Sequence, residues 1–322
     1  MRPFEHRNAP DLPTALELLR DSRTEALAGG TDLLGELKKR IRGPCRLLNL
    51  KTIPRLNEIH FDGDLRMGPL VTLGEIEHHS EISSHFPLLE QAITVTSTPQ
   101  LRNMGTVGGN LCQHPRCWYY RSSFFHCWLK NGDRCFAAEG ENRYHAIFGG
   151  HPCFAVHPSD LAPALIALRA NVRIVRPGGE EEIPLEEFYT SPKADHRRMT
   201  ILEPGELVTG VSVPIPPENS RGLYLKAMER KSWAFALVSL AAYVEFDGKS
   251  IRESRLVLGG VAPIPWRAKE AERILKGRTF SEEIVEEAAE ASVARARPLK
   301  HNEYKIQLTQ GLIRQGLASL AR

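Results

Sequence analysis

Residues 116–135, RCWYYRSSFFHCWLKNGDRC, set three of the chain's six cysteines among six large aromatics, and a fourth, Cys153, follows. Cys117, Cys127, Cys135 and Cys153 offer soft sulfur ligands, which suit a disulfide knot, a zinc site or an iron–sulfur cluster. Six cysteines in 322 residues are too sparse for a disulfide scaffold. Cys112 also lies in the crowded segment while Cys45 stands alone, and such clustering favours metal or redox chemistry. The spacing C-x9-C-x7-C-x17-C lacks the close cysteine knuckle of most zinc sites. Four thiolates on an irregular loop satisfy a [4Fe–4S] core, which needs sulfur count and reach more than one fixed spacing. Zinc and free thiols stay open at this point, as does a swap of one cysteine for His114, His126, His145 or His151. A thiolate-bound cubane is anionic. Arg116, Arg121, Lys130 and Arg134 are therefore expected to offset its charge, and Trp118, Tyr119, Phe124, Phe125 and Trp128 to screen it from water.

Two glycine pairs form the second chemical signal. In AGGTDLL (28–34) a strand runs into Gly29 and Gly30 and then Thr31 and Asp32, so backbone amides are free of side-chain cover. Such a turn can form an anion-binding nest for a diphosphate, or simply a strand-to-helix turn capped by Thr31 or Asp32. It matches neither the dinucleotide G-x-G-x-x-G pattern nor the Walker loop. In TPQLRNMGTVGGNLC (98–112) a second turn, Gly108-Gly109-Asn110, follows Thr98 and Thr106. Two such turns suit a long ligand gripped from both sides, with Asn110 able to donate and accept.

Elements must carry these loops. The opening reads as helix, strand, helix, strand, with Asp11 as N-cap of DLPTALELLRDS, TEALAGG and CRLLNL as strands, and TDLLGELKKR as the second helix. A second unit begins near Pro54 with strand, turn and helix in LRMGPLVTLGEIEHH and a helix in PLLEQAITVT. It resumes after the cysteines with a helix in PSDLAPALIALRA, a strand and turn in NVRIVRPGGEEEIPLEEF, and the strand ELVTGVSVPIP. Pro214, Pro216 and Pro217 mark its end, and three strands and then helices follow, an α+β pattern with helices over one face of a sheet. The predicted units are 1–54, 55–217 with an insertion at about 112–155, and 218–322. A net charge of +3 and the lack of basic runs argue against nucleic acid. No apolar run reaches membrane length, since FALVSLAAYVEF is only strand-sized. The start MRPFEHRNAP lacks a signal-peptide layout, so a cytoplasmic location is expected, or a periplasmic one by co-export with a signal-bearing partner.

AGGTDLL, TPQLRNMGTVGGNLC, HPSDLAPAL and GELVTGVSVP, in that order, resemble the FAD-binding medium subunit of the molybdenum hydroxylases, a family including xanthine dehydrogenases and aldehyde oxidoreductases. The resemblance spans nearly the whole chain. It implies α/β FAD-binding subdomains of the vanillyl-alcohol-oxidase type followed by an α+β C-terminal domain. It also implies that the backbone of Ala28, Gly29, Gly30, Thr31, Asp32 and Leu33 holds the FAD diphosphate, met from the other side by Thr98, Thr106, Gly108, Gly109 and Asn110. Asp160 is implied at the ribose or ribityl hydroxyls, Leu207 near the flavin through its backbone, and Lys226 near the isoalloxazine. Read alone, Asp160 is equally a helix cap, Leu207 a core residue, Lys226 a solvated strand lysine and Trp266 a packing residue.

A branch of that family carries a [4Fe–4S] insertion between the GGN and SDL motifs. QHPRCWYYR, NRYHAIFGG and CFAVHPSDLAPAL resemble its bacterial aldehyde oxidoreductase type most. They resemble the 4-hydroxybenzoyl-CoA reductase β subunit less, because its last two cysteines stand closer together. The metal ligands implied are Cys117, Cys127, Cys135 and Cys153. The resemblance implies an electron-transfer oxidoreductase subunit in a heterotrimer. A large partner holds the molybdenum cofactor, a small partner two [2Fe–2S] clusters, and an external acceptor takes the electrons. Nothing in this sequence matches a molybdopterin site or a [2Fe–2S] motif, and no general acid or base is assigned. The alternatives are a 4-hydroxybenzoyl-CoA reductase-like subunit running in the reductive direction, a self-sufficient FAD oxidoreductase, and a non-catalytic assembly subunit.

Overall fold

A computed structural model describes residues 1–192 and 197–322. The chain is α+β and builds three sheets. The first is parallel, in the order β1 (Glu5–Asn8), β3 (Arg46–Asn49), β2 (Thr24–Leu27). Its connections are the helices Leu12–Leu19 and Leu33–Lys38. Asp11 caps the first of these by accepting from the Thr14 amide at 2.8 Å. The opening β1 was not expected. Its residues EHRN are all exposed, so no apolar alternation announces it.

The second sheet has five antiparallel strands in the order β4 (Ile59–Asp62), β5 (Asp64–Met67), β8 (Leu207–Pro214), β6 (Asn171–Arg176), β7 (Gly179–Pro184). The stretch expected as a strand with a following turn is a full hairpin, whose second arm, β7, presents exposed glutamates. The helices Leu73–Glu77, Pro87–Thr94 and Leu161–Ala167 pack on this sheet around Leu65, Phe86, Leu165 and Val211.

The third sheet is antiparallel, in the order β12 (Trp266–Arg267), β11 (Ser250–Gly259), β10 (Val238–Asp247), β9 (Ser220–Ala227). Helices were expected on one face only. In fact Leu240, Ala242 and Val244 of β10 face the C-terminal helices, while Ala241 and Tyr243 face the core of the second sheet. Burial on both faces explains why this strand reads as nearly continuous apolar sequence. Trp266 stacks on Phe148 at 4.9 Å and is a packing residue. Among the described residues no helix is long and apolar enough to cross a membrane.

Segment 112–155 is almost wholly irregular, with a single 3-10 turn at Trp128–Lys130. Its end docks on the third sheet, where the amides of Ile147 and Phe148 donate to the Val261 carbonyl at 2.8 and 3.1 Å.

Candidate functional site

The first glycine pair closes β2 against the second loop. A Cβ on Gly29 would stand 1.7 Å from the Met104 carbonyl oxygen, so glycine is required here by the approach of another backbone. Gly30 has φ +72°, in the left-handed region. Among the described residues, the amides of Gly29, Gly30, Thr31 and Asp32 donate to no acceptor. Four consecutive free N–H groups are the arrangement an anion-binding nest requires. The Lys51 ammonium, which the sequence reading did not single out, holds the Ala28 carbonyl at 3.0 Å.

The second loop is built differently. Its amides of Val107, Gly108 and Asn110 already donate to Val71, Pro69 and Thr106 carbonyls, and the Gly109 amide donates to Thr106 Oγ1 at 3.2 Å. Gly108 has Pro69 within 2.9 Å of where a Cβ would lie. Only the Thr106 amide is left without an acceptor there, among the described residues. Thr98 caps the short helix Pro99–Arg102 through its side chain.

Between the loops lies a cavity of about 540 Å³ lined by Ala28 to Leu33, Thr106, Gly108 and Gly109. Part of its wall is apolar, formed by Leu19, Ala26, Leu50 and Leu207, which pack in one cluster with Ala28. A second cavity, of about 490 Å³, lies between the cysteine segment and residues 229–237. Arg116, Cys117, His145, Asp160 and Phe235 share its wall.

Asp160 caps no helix with its side chain. Ser159 Oγ takes that place, accepting from the Ala162 amide at 2.9 Å and donating to Asn110 Oδ1 at 2.5 Å. The buried Asp160 carboxylate instead accepts from Lys226 Nζ at 2.7 Å and from Tyr224 OH at 2.8 Å. Lys226 also donates to the Val95 carbonyl at 3.0 Å, and its side chain is only 1% exposed. The lysine is thus buried and paired. Of the sequence-derived residues, the two loops and Leu207 meet at the first cavity and Asp160 at the second, whereas Thr98, Asn110 and Lys226 line neither.

Asp32 and Glu36, one turn apart on the helix after the nest, face the cysteine segment. Asp32 accepts from Arg116 at 2.6 Å, Arg121 at 2.7 Å and the His114 amide at 2.8 Å. Glu36, fully buried, accepts from Arg121 at 3.2 Å and pairs with His114 Nδ1 at 3.1 Å. Burial pushes both carboxyls up. For Asp32 the two arginines and the His114 amide outweigh it; for Glu36, His114 and Arg121 do, so both end below the ordinary carboxylate range. Asp32, Glu36 and His114 have the ligand-atom spacing of a metal site. The arginines already saturate those oxygens, which makes the cluster a salt-bridge network. Arg116 and Arg121, expected to face the cysteines, are engaged here.

Lys130 does face the cysteines: Cys127 and Cys117 act electrostatically on its ammonium, while its Nζ holds the Tyr119 carbonyl at 3.2 Å. Nearby backbone amides of Tyr119 and Tyr120 favour the Cys117 thiolate, those of Phe154, Ala137 and Ala138 favour that of Cys135, and that of Ala155 favours that of Cys153. The Cys135 and Cys153 thiols act on each other, which brings Cys135 down to about 6 and raises Cys153. Cys127 and Cys153 are buried. All six cysteines are free. Among the described residues no three of these sulfurs fall within 4.8 Å of one another, whereas thiolates on one zinc ion stand roughly 3.8 Å apart. Cys112 belongs elsewhere, lining the first cavity as a neutral thiol pushed up to about 12 by burial. The aromatic screen is partial, with Tyr119 packed among Trp118, Phe125 and Phe136 but Phe124 95% exposed.

A family model described as the FAD binding domain in molybdopterin dehydrogenase matches residues 2–216, and one described as the CO dehydrogenase flavoprotein C-terminal domain matches residues 223–320. The chain is 34% identical to the aldehyde oxidoreductase FAD-binding subunit PaoB of Escherichia coli K12, over 98% of this chain and 96% of that one. It is 25% identical to the carbon monoxide dehydrogenase medium chain of Hydrogenophaga pseudoflava, over 98% and 96%. Its fold matches a chain in the structure of the Hydrogenophaga pseudoflava carbon monoxide dehydrogenase lacking the Mo-pyranopterin moiety of the molybdenum cofactor. That match has a TM-score of 0.79 and 24% identity, and covers 99% and 97% of the two chains. A chain of quinoline 2-oxidoreductase from Pseudomonas putida 86 matches with a TM-score of 0.75 and 23% identity, covering 99% and 97%.

Proposed function

The chain belongs to the family of FAD-binding medium subunits of the molybdenum hydroxylases, and from that premise we propose that it is the electron-transfer subunit of an aldehyde-oxidising complex. In this reading it binds FAD and a [4Fe–4S] cluster, and serves between a small [2Fe–2S] partner and an external acceptor while a large molybdenum partner oxidises the substrate. The relative at 34% identity is named as an aldehyde oxidoreductase subunit, which supports the substrate class.

The residues fit both groups. The free amides of Gly29, Gly30, Thr31 and Asp32, with that of Thr106 opposite, suit the oxygens of a diphosphate. The apolar wall at Leu19, Leu50 and Leu207 suits one ring system of the cofactor, and the cavity beside Asp160 suits the other. Four cysteine sulfurs, no three of which fall within 4.8 Å of one another among the described residues, suit a cubane more than a single zinc ion. When bound, FAD exchanges electrons singly or in pairs and the cluster exchanges one at a time. The protein holds these groups, keeps the Asp160–Lys226 pair neutral overall beside the second cavity, and limits water with the packed aromatics.

The observation that carries the reading is that Cys117 and Asp160 wall the same cavity, which brings the cysteine set to the edge of the cofactor site. Anaerobic purification from the native source tests it. Large and small partners should accompany the chain, with flavin and iron both bound to it. Zinc without iron in the cysteine segment would sink the cluster, and absence of flavin would sink the reading as a whole.

A further inference from the structure

His145 Nε2 stands 3.2 Å from the Cys117 sulfur. The ring is buried, edge-on to Trp118 at 5.9 Å and tilted against Tyr119 at 6.1 Å. Its other nitrogen, Nδ1, meets no hydrogen-bond partner among the described residues. That fixes the tautomer. A proton on Nε2 directs the ring's only N–H at sulfur and leaves a lone pair unpaired, whereas a proton on Nδ1 would orphan a buried donor.

The third unit of the fold holds the ring in place. Asn302, fully buried, donates to the His145 carbonyl at 3.0 Å and to that of Ala146 at 3.2 Å. The His145 amide donates to the Asn142 carbonyl at 2.9 Å, and Asn142 Oδ1 accepts from the His301 amide at 2.9 Å. The donor is therefore locked by two asparagines that are themselves inaccessible.

We propose that His145 is a positioning residue whose Nε2–H donates to the Cys117 sulfur and raises the reduction potential of the cluster held there. The proposal rests on the cluster reading above. A reduced cluster carries one more negative charge than an oxidised one, so a donor on a ligating sulfur stabilises the reduced form more. His145 is accordingly a partner of a ligand and does not replace one.

The test uses the assembled complex with the wild-type chain, His145→Phe and His145→Gln, measuring iron content and the cluster midpoint by low-temperature redox titration. Iron should be retained, the midpoint should fall in His145→Phe, and the amide donor of His145→Gln should restore most of the loss. An unmoved midpoint with iron retained overturns the proposal and leaves the cluster reading standing. Zinc in place of iron in the wild type overturns both. Should His145→Phe fail to assemble, wild-type complex labelled with 15N-histidine decides the matter. Weak nitrogen coupling to the reduced cluster supports a hydrogen bond, while absent coupling, or the strong coupling of a direct ligand, overturns it.

Discussion

Gly29, in the first glycine turn, and Gly35, in the helix that follows it, lie six residues apart, and replacing each by alanine should have opposite effects. At Gly29 the added Cβ would sit 1.7 Å from the Met104 carbonyl oxygen. Backbone blocks it, so no side chain can swing aside, and the two loops must part by about 1 Å or more to reach tolerable contact. Overpacking of this kind costs roughly 3 kcal/mol at the upper end of its usual range, and separating the loops also misplaces the nest across from Thr106. We expect Gly29→Ala to lower the melting temperature by about 6 °C, at roughly 2 °C per kcal/mol in a chain of this size, and to lose most bound FAD. At Gly35, in the helix Leu33–Lys38, a Cβ would meet nothing within 4 Å among the described residues. Helix propensity alone then favours Gly35→Ala by about 0.5–1 kcal/mol, with FAD retained. Flavin absorbance per chain and differential scanning fluorimetry read both effects. Full FAD and an unchanged melting temperature in Gly29→Ala would refute the close approach of the two loops.

Arg121→Met removes a guanidinium shared by Asp32 and buried Glu36, leaving Arg116 and His114 to compensate, so a loss of about 2–3 kcal/mol is expected. Both carboxyls are depressed in the folded chain, so their contribution is present above the unfolded value near 4 and lost as pH falls through the folded one. The gap in thermal stability between wild type and Arg121→Met should therefore be widest above about pH 5 and narrow in more acidic buffer. A gap independent of pH would show that the ion pairs are not its source. Lys226→Met strands the buried Asp160 carboxylate and should cost about 3–5 kcal/mol, with Lys226→Met/Asp160→Asn recovering much of it in a thermal-shift double-mutant cycle. Cys135→Ser should lose iron while Cys45→Ser, at an exposed position, keeps it; equal iron content by elemental analysis would remove Cys135 from the ligand set.

Where a signal was local, the sequence was legible. Asp11 as a cap, the apolar runs of β3, β8 and β10, and the two glycine turns all follow from residue type and spacing within a few positions. Four strands escaped notice: β4 and β12 are short edge strands, the edge strand β7 shows only its polar side, and β1 has no buried residue to mark it. The glycines were legible as necessary but not for the right neighbour. Gly29 and Gly108 are small to admit Met104 and Pro69, and only the nest from Gly29 to Asp32 keeps its amides free. Partner choice among charges was not legible. Arg116, Arg121 and Lys130 look alike from the sequence, yet the first two pair with acids more than 80 positions away and only the third faces the cysteines. Asp32 and Lys226 were singled out toward a ligand, and in the fold each also holds a protein partner. Long-range ion pairs carry no period and no motif.

Those long-range ties give the cysteine segment its order. It has almost no regular secondary structure, so its backbone cannot be held by its own ladder of hydrogen bonds. Instead the rest of the fold grips it from several sides. The first unit holds Arg116, Arg121 and His114 through Asp32 and Glu36, and the second reaches it through Arg197, which donates to the Trp128 and Gly132 carbonyls at 2.8 Å. The third holds Asn142 and His145 through His301 and Asn302. The grip on Asp32 starts from the residue that ends the first glycine turn, so the segment and that turn are tied at one residue. Ion pairs and buried amides thus order the loop, and nearby backbone amides of Tyr119, Ala137 and Ala155 favour the thiolate forms of Cys117, Cys135 and Cys153. In the proposed cluster reading, a site prepared in this way needs less from its metal to fold, and His145, 3.2 Å from the Cys117 sulfur, is part of that preparation.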